Sequence, residues 1–441
     1  MRISNRFTLV LFLLSILASS CNKVTNPDGS TISDVTITSL KPAHGPYDTI
    51  DTLTGKGFDK IPQFDSVLLN GKKLTLISRS ATEVIVKIPS KAGTGNIDIW
   101  YHGTRIHGPV FTYDSTLFVT TVAGSSTESG YVNAQGLNAR FKEPEGIVVD
   151  RSGNIYVSDK GNNCIRKITP DGNVTTLAGS ANGSVGYADG TGSAALFGAP
   201  LGLAIDANEY LYVADQTNYR VRKVSLSGVV TTLAGNTWNT QPPGGQIDGD
   251  VSVATLNTPF SVTVDKNLNV YVADSYNNKI RKITPNGTVS TYAGGDYYHS
   301  GHVDGPAATS LFFTPFFVAA DPSGNVYAID GEGHLLRKIT PNGMVTTILG
   351  PNEPSMAGIS GLFFARGLTT DKAGNIYFGI REGVIKMTPQ GQIIRYAVGG
   401  IGELDGPAQT ATYRSIAGIA VDDSNNVYIT DNNRIRKIAW Q

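Results

Sequence analysis

Cysteine is nearly absent: the 441 residues hold two, Cys21 and Cys164. One of them closes an N-terminal targeting segment, so no pair remains for a disulfide framework. An excess of either charge is also missing. Lys plus Arg and Asp plus Glu both number 36, and no basic run occurs. That excludes the electrostatic footprint of a nucleic-acid binder. Long hydrophobic runs are lacking. The N-terminal run, Phe7 to Leu17, has eleven residues, about half of what a membrane-spanning helix needs. After it, no stretch shows helical periodicity of useful length. Catalytic signatures are missing as well: no Gly-x-Ser-x-Gly, His-Glu-x-x-His, phosphate-binding loop or Cys-x-x-Cys occurs.

What is present begins with the targeting segment. Arg2 and Arg6 precede the apolar run, and Ala18, Ser19 and Ser20 lead to Cys21. A positive start, a short apolar core and small residues make a signal peptide. With a cysteine at its end, the segment resembles a bacterial lipoprotein signal, although Ala18 stands where leucine is usual. The resemblance implies a signal peptide over 1–20 and a lipidated Cys21. Residues 21–32 then form a flexible tether, being polar with Pro27 and Gly29. The expected location is the outer membrane of a Gram-negative cell, with the membrane reached through the lipid.

Glycine is abundant, 50 of 441, against a usual share of about 7%. With many Thr, Val, Ile and Tyr, this predicts an all-β chain rich in tight turns. Residues 33–114 carry short β-like runs, among them Val35–Ile37, Ser66–Leu69, Glu83–Ile88 and Asn96–Trp100. Turn residues separate them, notably Asn70-Gly71, the pair a two-residue hairpin favours. Leu40, Pro42 and Gly45, then Thr54 to Phe58, Leu69 to Gly71, Ile88-Pro89 and Phe111 to Tyr113 resemble an IPT/TIG domain. That implies an immunoglobulin-like β-sandwich used as a spacer or binding module. Trp100 and Tyr101 are expected in its core.

Residues 115–441 repeat. An Asp precedes a Tyr by six positions at Asp150/Tyr156, Asp206/Tyr212, Asp265/Tyr271, Asp321/Tyr327, Asp371/Tyr377 and Asp422/Tyr428. Successive tyrosines are 56, 59, 56, 50 and 51 residues apart. Each unit has four β-like stretches, a to d. In the first they are Gly146–Asp150, Asn154–Ser158, Cys164–Ile168 and Val174–Ala178. Four strands per unit predict one antiparallel blade, and radial blades a β-propeller. The last unit ends after its third strand, and a matching fourth, Thr120–Gly124, precedes the first unit. The expectation is six blades, closed by the strand at 117–124. Pro144 to Asp150, Gly153 to Asp159 and Asn162 to Ile168 resemble NHL repeats, six in a row. The resemblance implies the fold and leaves the activity open.

Recurrent residues are expected to be scaffold. Gly146, Gly202, Gly367 and Gly418 open strand a, where six strands crowd an axis, while Ser261 and Phe317 break the rule. Phe312, Phe313, Phe316 and Phe317 are expected to fill space between blades, with lining of the channel mouth at the fourth blade as the alternative. Asp159, Asp215, Asp274, Asp330 and Asp431 follow strand b, as turn caps or partners of Arg166, Arg222, Arg281, Arg337 and Arg436. The fifth unit breaks this pattern with Ile380 and Lys386. The d–a connections are long and share one face with the b–c loops. An Asp-Gly recurs in them, at Asp189, Asp248, Asp304 and Asp405. A loop anchor is expected there, with a calcium-binding rim as the alternative.

Function is therefore sought where the repeats differ. Trp238, Tyr297, Tyr298, His299 and His302 stand in the connections, with Tyr131 and Tyr187 in earlier ones. They are the candidate ligand-binding residues, able to stack on a sugar or peptide, or equally to pack the loops down. Some NHL-type propellers are zinc lyases, and His299, His302 and His334 are the weak metal candidates. They cluster around one blade and lack a clear carboxylate base. No cofactor is expected. The expected function is a non-catalytic, lipid-anchored envelope protein whose long-loop face binds a glycan or protein. The alternative is a metal-dependent lyase or hydrolase.

Overall fold

In a computed structural model the described residues are 22–25, 31–45, 49–61, 63–89, 92–114, 116–235, 245–295, 299–331, 334–350 and 365–441. The expected signal peptide, residues 1–20, and Cys21 lie outside them. The chain divides into two compact units, residues 1–116 with 440–441, and residues 117–439. No described helix is long and apolar enough to cross a membrane.

The first unit contains two sheets. One orders Asn22–Thr25, Thr31–Lys41, Ile50–Lys56, Glu83–Lys87 and Thr75–Arg79. The other is built on Val110–Tyr113, Gly95–Tyr101 and Ser66–Leu69. Alternation along the strands turns Leu53, Val67, Leu69, Val84, Val86, Ile97, Ile99 and Phe111 into one buried core. Asn70 and Gly71 adopt φ of 50° and 76°, the left-handed pair that the hairpin requires. Tyr101 is in the core, while Trp100 is half-buried on the other face of its strand. Residues 22–25, expected in a tether, form a strand antiparallel to Thr31–Lys41. An open sheet edge offers unpaired backbone groups, and a polar segment with a β-branched Val24 can take them.

Among its described residues the second unit forms six antiparallel sheets. The innermost strands are Pro144–Val149, Pro200–Ile205, Pro259–Val264, Pro315–Ala320, Arg366–Thr370 and Ile416–Val421. Each lies against the innermost strand of the next sheet, and the sixth lies against the first. Leu117–Gly124 is hydrogen-bonded beside Arg434–Trp440, in the sheet of the last repeat. The second strands, such as Ile155–Asp159 and Val270–Asp274, are buried at every residue.

The crowding at strand a is literal. A Cβ on Gly418 would stand 2.0 Å from the Glu145 carbonyl oxygen, and one on Gly146 2.4 Å from that of Leu201. The Asp/Tyr pair is a turn lock. Asp150 Oδ1 accepts the Ser152 and Asn154 amides, while Oδ2 accepts Asn154 Nδ2 and Tyr156 Oη. The Tyr–Asp bond recurs in all six repeats at 3.0–3.2 Å. Burial, then the neighbouring carboxylate, pushes these phenols above their usual value.

Five repeats share a buried ion network. In the second, Arg222 Nη1 donates to Asp215 Oδ2 (2.8 Å) and the Leu196 carbonyl (2.9 Å). Its Nη2 donates to the Ala188 carbonyl (2.9 Å) and Asp189 Oδ1 (2.6 Å). Asp189 also accepts the Thr232 amide at 3.0 Å. Arg281, Arg337 and Arg436 pair likewise with Asp248, Asp304 and Asp405. The recurrent Asp-Gly is thus an anchor that staples each connection to its sheet. The fifth repeat needs a correction. Ile380 replaces the aspartate, but the residue at the arginine position is Ile385, not Lys386. Ile385 faces Phe378 just as Arg166 faces Val157. An apolar pair, both fully buried, stands there for an ion pair.

Candidate functional site at the mouth of the axial channel

The six inner strands line a channel. Ile147, Leu203, Val262, Val318, Leu368 and Ile419 make an apolar ring shared by the cavities above and below it. The cavity toward the tight turns is about 230 Å³ and adds Val149, Ile205, Val264, Ala320, Thr370 and Val421. The opposite mouth, on the side of the b–c loops, is lined by Glu145, Leu201, Phe260, Ser261, Phe317 and Ala417.

The residue just before the crowded position of strand a is, in turn, Glu145, Leu201, Phe260, Phe316, Arg366 and Ala417, and Glu145, Leu201, Phe260 and Ala417 line the mouth. Backbone pairing fixes these residues, so their variety is chemical and not architectural. Phe260 and Phe316 are half-buried with centroids 4.9 Å apart, and Phe317 meets Phe260 edge-on at 5.3 Å. Arg366 is exposed. Burial raises the Glu145 carboxyl above its usual range, while Arg366 and then Lys160 pull it down. Lys160 Nζ is 3.7 Å from Glu145 and 3.1 Å from Glu143. One mouth therefore joins an aromatic wall, a carboxylate held in a low-dielectric setting and an exposed guanidinium.

The residues singled out in the sequence fare differently. Trp238, Tyr297 and Tyr298 lie outside the described residues. His299 is exposed. Tyr131 is packed down: its hydroxyl meets Thr176 Oγ1 at 2.6 Å, and Arg166 lies 5.0 Å over its ring. Tyr187 remains more than half exposed. Phe312 fills space as expected, buried 4.7 Å beneath the Arg337 guanidinium.

The histidines do not converge on a metal site. His334 has φ of 50°, the left-handed turn position that Asn163, Tyr219 and Asn278 hold in earlier repeats. His302 Nδ1 lies 3.0 Å from Asp330 Oδ2. Elsewhere an amide does that work. Asn162, Asn218 and Asn277 each donate to the repeat's aspartate at 2.8 Å. The sequence has Gly333 at the matching position, and His302 supplies the missing donor from the connection. Among the described residues no group of three or more His, Cys, Asp and Glu could hold a metal ion. Phe317 lines the mouth, the alternative its sequence position offered. Glu145, Phe260 and Arg366 escaped sequence reasoning, because only the register shows which member of strand a stands there; the alignment of the residue before the crowded position across the six copies was the available signal.

Comparison with known proteins fits this architecture. The IPT/TIG domain model matches residues 35–117, and the Teneurin NHL domain model matches residues 127–296. Protein SUPPRESSOR OF QUENCHING 1 of Arabidopsis thaliana is 28% identical over 231 residues, 49% of this chain and 22% of that protein. NHL repeat-containing protein 2 of Bos taurus is 38% identical over 104 residues, 22% of this chain and 14% of that protein. The chain thus spans less than a quarter of these relatives. An auxiliary nutrient binding protein from Bacteroides ovatus ATCC 8483 is 16% identical, with a TM-score of 0.44, over 92% of this chain and 98% of that one. The chain carries an IPT/TIG domain followed by NHL repeats.

Proposed function

We propose that this is a non-catalytic binding protein of the cell envelope, lipid-anchored through Cys21. Its repeats form a six-bladed propeller closed by the strand at 117–124, and its long-loop face takes a glycan or protein. The observation that carries the reading is the channel mouth, where Phe260, Phe316, Glu145 and Arg366 break the symmetry together. Aromatic faces with a few polar groups are what a binding pocket needs. The recurrent aspartates and arginines of the repeats are committed to structure, in the Asp/Tyr locks and the Asp/Arg networks. A nucleophile-and-base constellation is not among the residues lining the mouth. The test is a binding screen of the full chain against glycans and peptides, with lactone and peptide substrates assayed alongside. Saturable binding without turnover, weakened by Phe260→Ala and Arg366→Ala, is the expected result. Metal-dependent turnover abolished by His302→Ala would overturn the reading.

A further inference from the structure

Between the second and third sheets a lateral cavity of about 540 Å³ is lined by Tyr187, Asp189, Arg220, Thr232, Val251 and Ser252, among others. Its distinguishing group is Arg220. The guanidinium lies 4.2 Å over the Tyr187 ring. Its Nη1 is buried, yet it has no hydrogen-bond partner. A buried donor left unmade costs about 1–3 kcal/mol, more for a charged group, so an unused one asks for an acceptor.

The repeats explain why Arg220 is free. Arg434 holds the same ladder position in the sixth repeat, opposite Asp431 as Arg220 is opposite Asp215. Arg434 turns inward, donating to Asp431 Oδ2 at 3.1 Å and to the Glu403 carbonyl at 2.8 Å. The second repeat has no such vacancy. Asn218 donates to both Asp215 Oδ2 and the Gly186 carbonyl. Asp189 is spent as well, on Arg222 and on Thr232. The first repeat has Cys164 at this position, and its Tyr131 is bonded to Thr176. Among the described residues, only the second repeat combines an uncommitted guanidinium at this position with an exposed tyrosine face.

We infer that this cavity is a binding site for a carboxylate-bearing sugar, a hexuronic acid residue. Its carboxylate would accept from Arg220, and its ring would lie along Tyr187 and Val251. A guanidinium and a carboxylate match in charge and geometry. The C–H edges of a sugar ring carry partial positive charge and suit the negative face of an aromatic ring. A cavity of this size holds a small ligand, and the Ser252 and Thr232 side chains border it. The site is separate from the channel mouth, so either assignment can fail without the other.

The experiment titrates the full chain with sodium glucuronate, neutral methyl glucoside, acetate and a short acidic peptide, read by calorimetry and ligand-observed NMR. Glucuronate is expected to bind saturably below about 10 mM, and methyl glucoside is not. Arg220→Gln should weaken glucuronate at least about tenfold, as loss of a charge-assisted bond does. Its thermal midpoint should fall by no more than about 2 °C, because Nη1 has no hydrogen bond to lose and only the contact with the Tyr187 ring goes. Tyr187→Ala should weaken glucuronate but not acetate, while Lys372→Ala, at an exposed position outside both sites, leaves both untouched. Equal binding of glucuronate and methyl glucoside would overturn the inference. So would wild-type affinity in Arg220→Gln, no saturable uronate binding, or preference for the acidic peptide.

Discussion

Arg222→Met tests whether the repeated ion network holds the second unit together. The substitution keeps an unbranched side chain but deletes four hydrogen bonds of 2.6–2.9 Å. It also strips the guanidinium from the Phe197 ring, 5.2 Å away. Asp215, wholly buried, keeps only the Gly198 amide and Asn218 as donors. Removing one partner of a buried pair costs about 3–5 kcal/mol. For a unit this large that lowers the thermal midpoint by about 5–10 °C. The loss has a pH signature. Burial already pushes the Asp215 carboxyl up, against Asn218, Arg222 and the Gly198 amide. Without Arg222 it rises further, so the penalty is full near neutrality and shrinks in acid as the stranded carboxylate takes a proton. Repeat five supplies the rescue: its Ile380 and Ile385 fill the matching positions without charge. Asp215→Ile with Arg222→Ile should therefore recover stability relative to Arg222→Ile alone. The assay is thermal and chemical unfolding followed by circular dichroism at pH 5 and pH 8. A midpoint for Arg222→Met within 1 °C of wild type would refute the reasoning.

Three further outcomes are expected. Asp51 is buried in the sandwich, and burial raises its carboxyl to about 6, against backbone amides of Thr52 and Lys41 that lower it. Its folded value exceeds its unfolded one, so the stability it permits is full in acid and falls as pH climbs from about 4 through about 6. Asp51→Asn should abolish that slope and add about 1–3 kcal/mol at pH 7, read as the wild-type-to-variant difference in urea unfolding at pH 4.5 and 7. Gly418→Ala should cost at least about 1–3 kcal/mol, since its Cβ would strike the Glu145 carbonyl of the adjoining inner strand. His302→Ala should lower stability by about 1–2 kcal/mol by removing a donor to Asp330, with zinc making no difference to either protein's melting curve.

The periodic part of the chain was legible because scaffold repeats. Each Asp/Tyr pair marks a turn whose aspartate accepts the backbone amide four residues on and the Tyr hydroxyl. The strand at 117–124 was visible because Thr120–Gly124 copies Thr175–Gly179. Departures were harder. His302, a weak metal candidate in the sequence, bonds Asp330 where other repeats use an amide, a substitution that only the structure reveals. Lys386 drew notice in place of Ile385, because a charge stands out in a sequence and a one-residue shift of register does not. Phe317 was visible as a candidate for the channel mouth, but Glu145, Phe260, Arg366 and Arg220 were not, for one physical reason. Strand pairing, not composition, decides which side of a strand a residue occupies and whether its partners are already taken.

The most direct test of the binding reading is calorimetric titration of the full chain with the glycan or peptide that the screen selects, with product analysis of the same mixture. The account requires a saturable isotherm, an unaltered ligand, and affinity lowered about tenfold or more by Phe260→Ala or Arg366→Ala. Conversion of the ligand by a metal-loaded protein, or unchanged affinity in both variants, would contradict it.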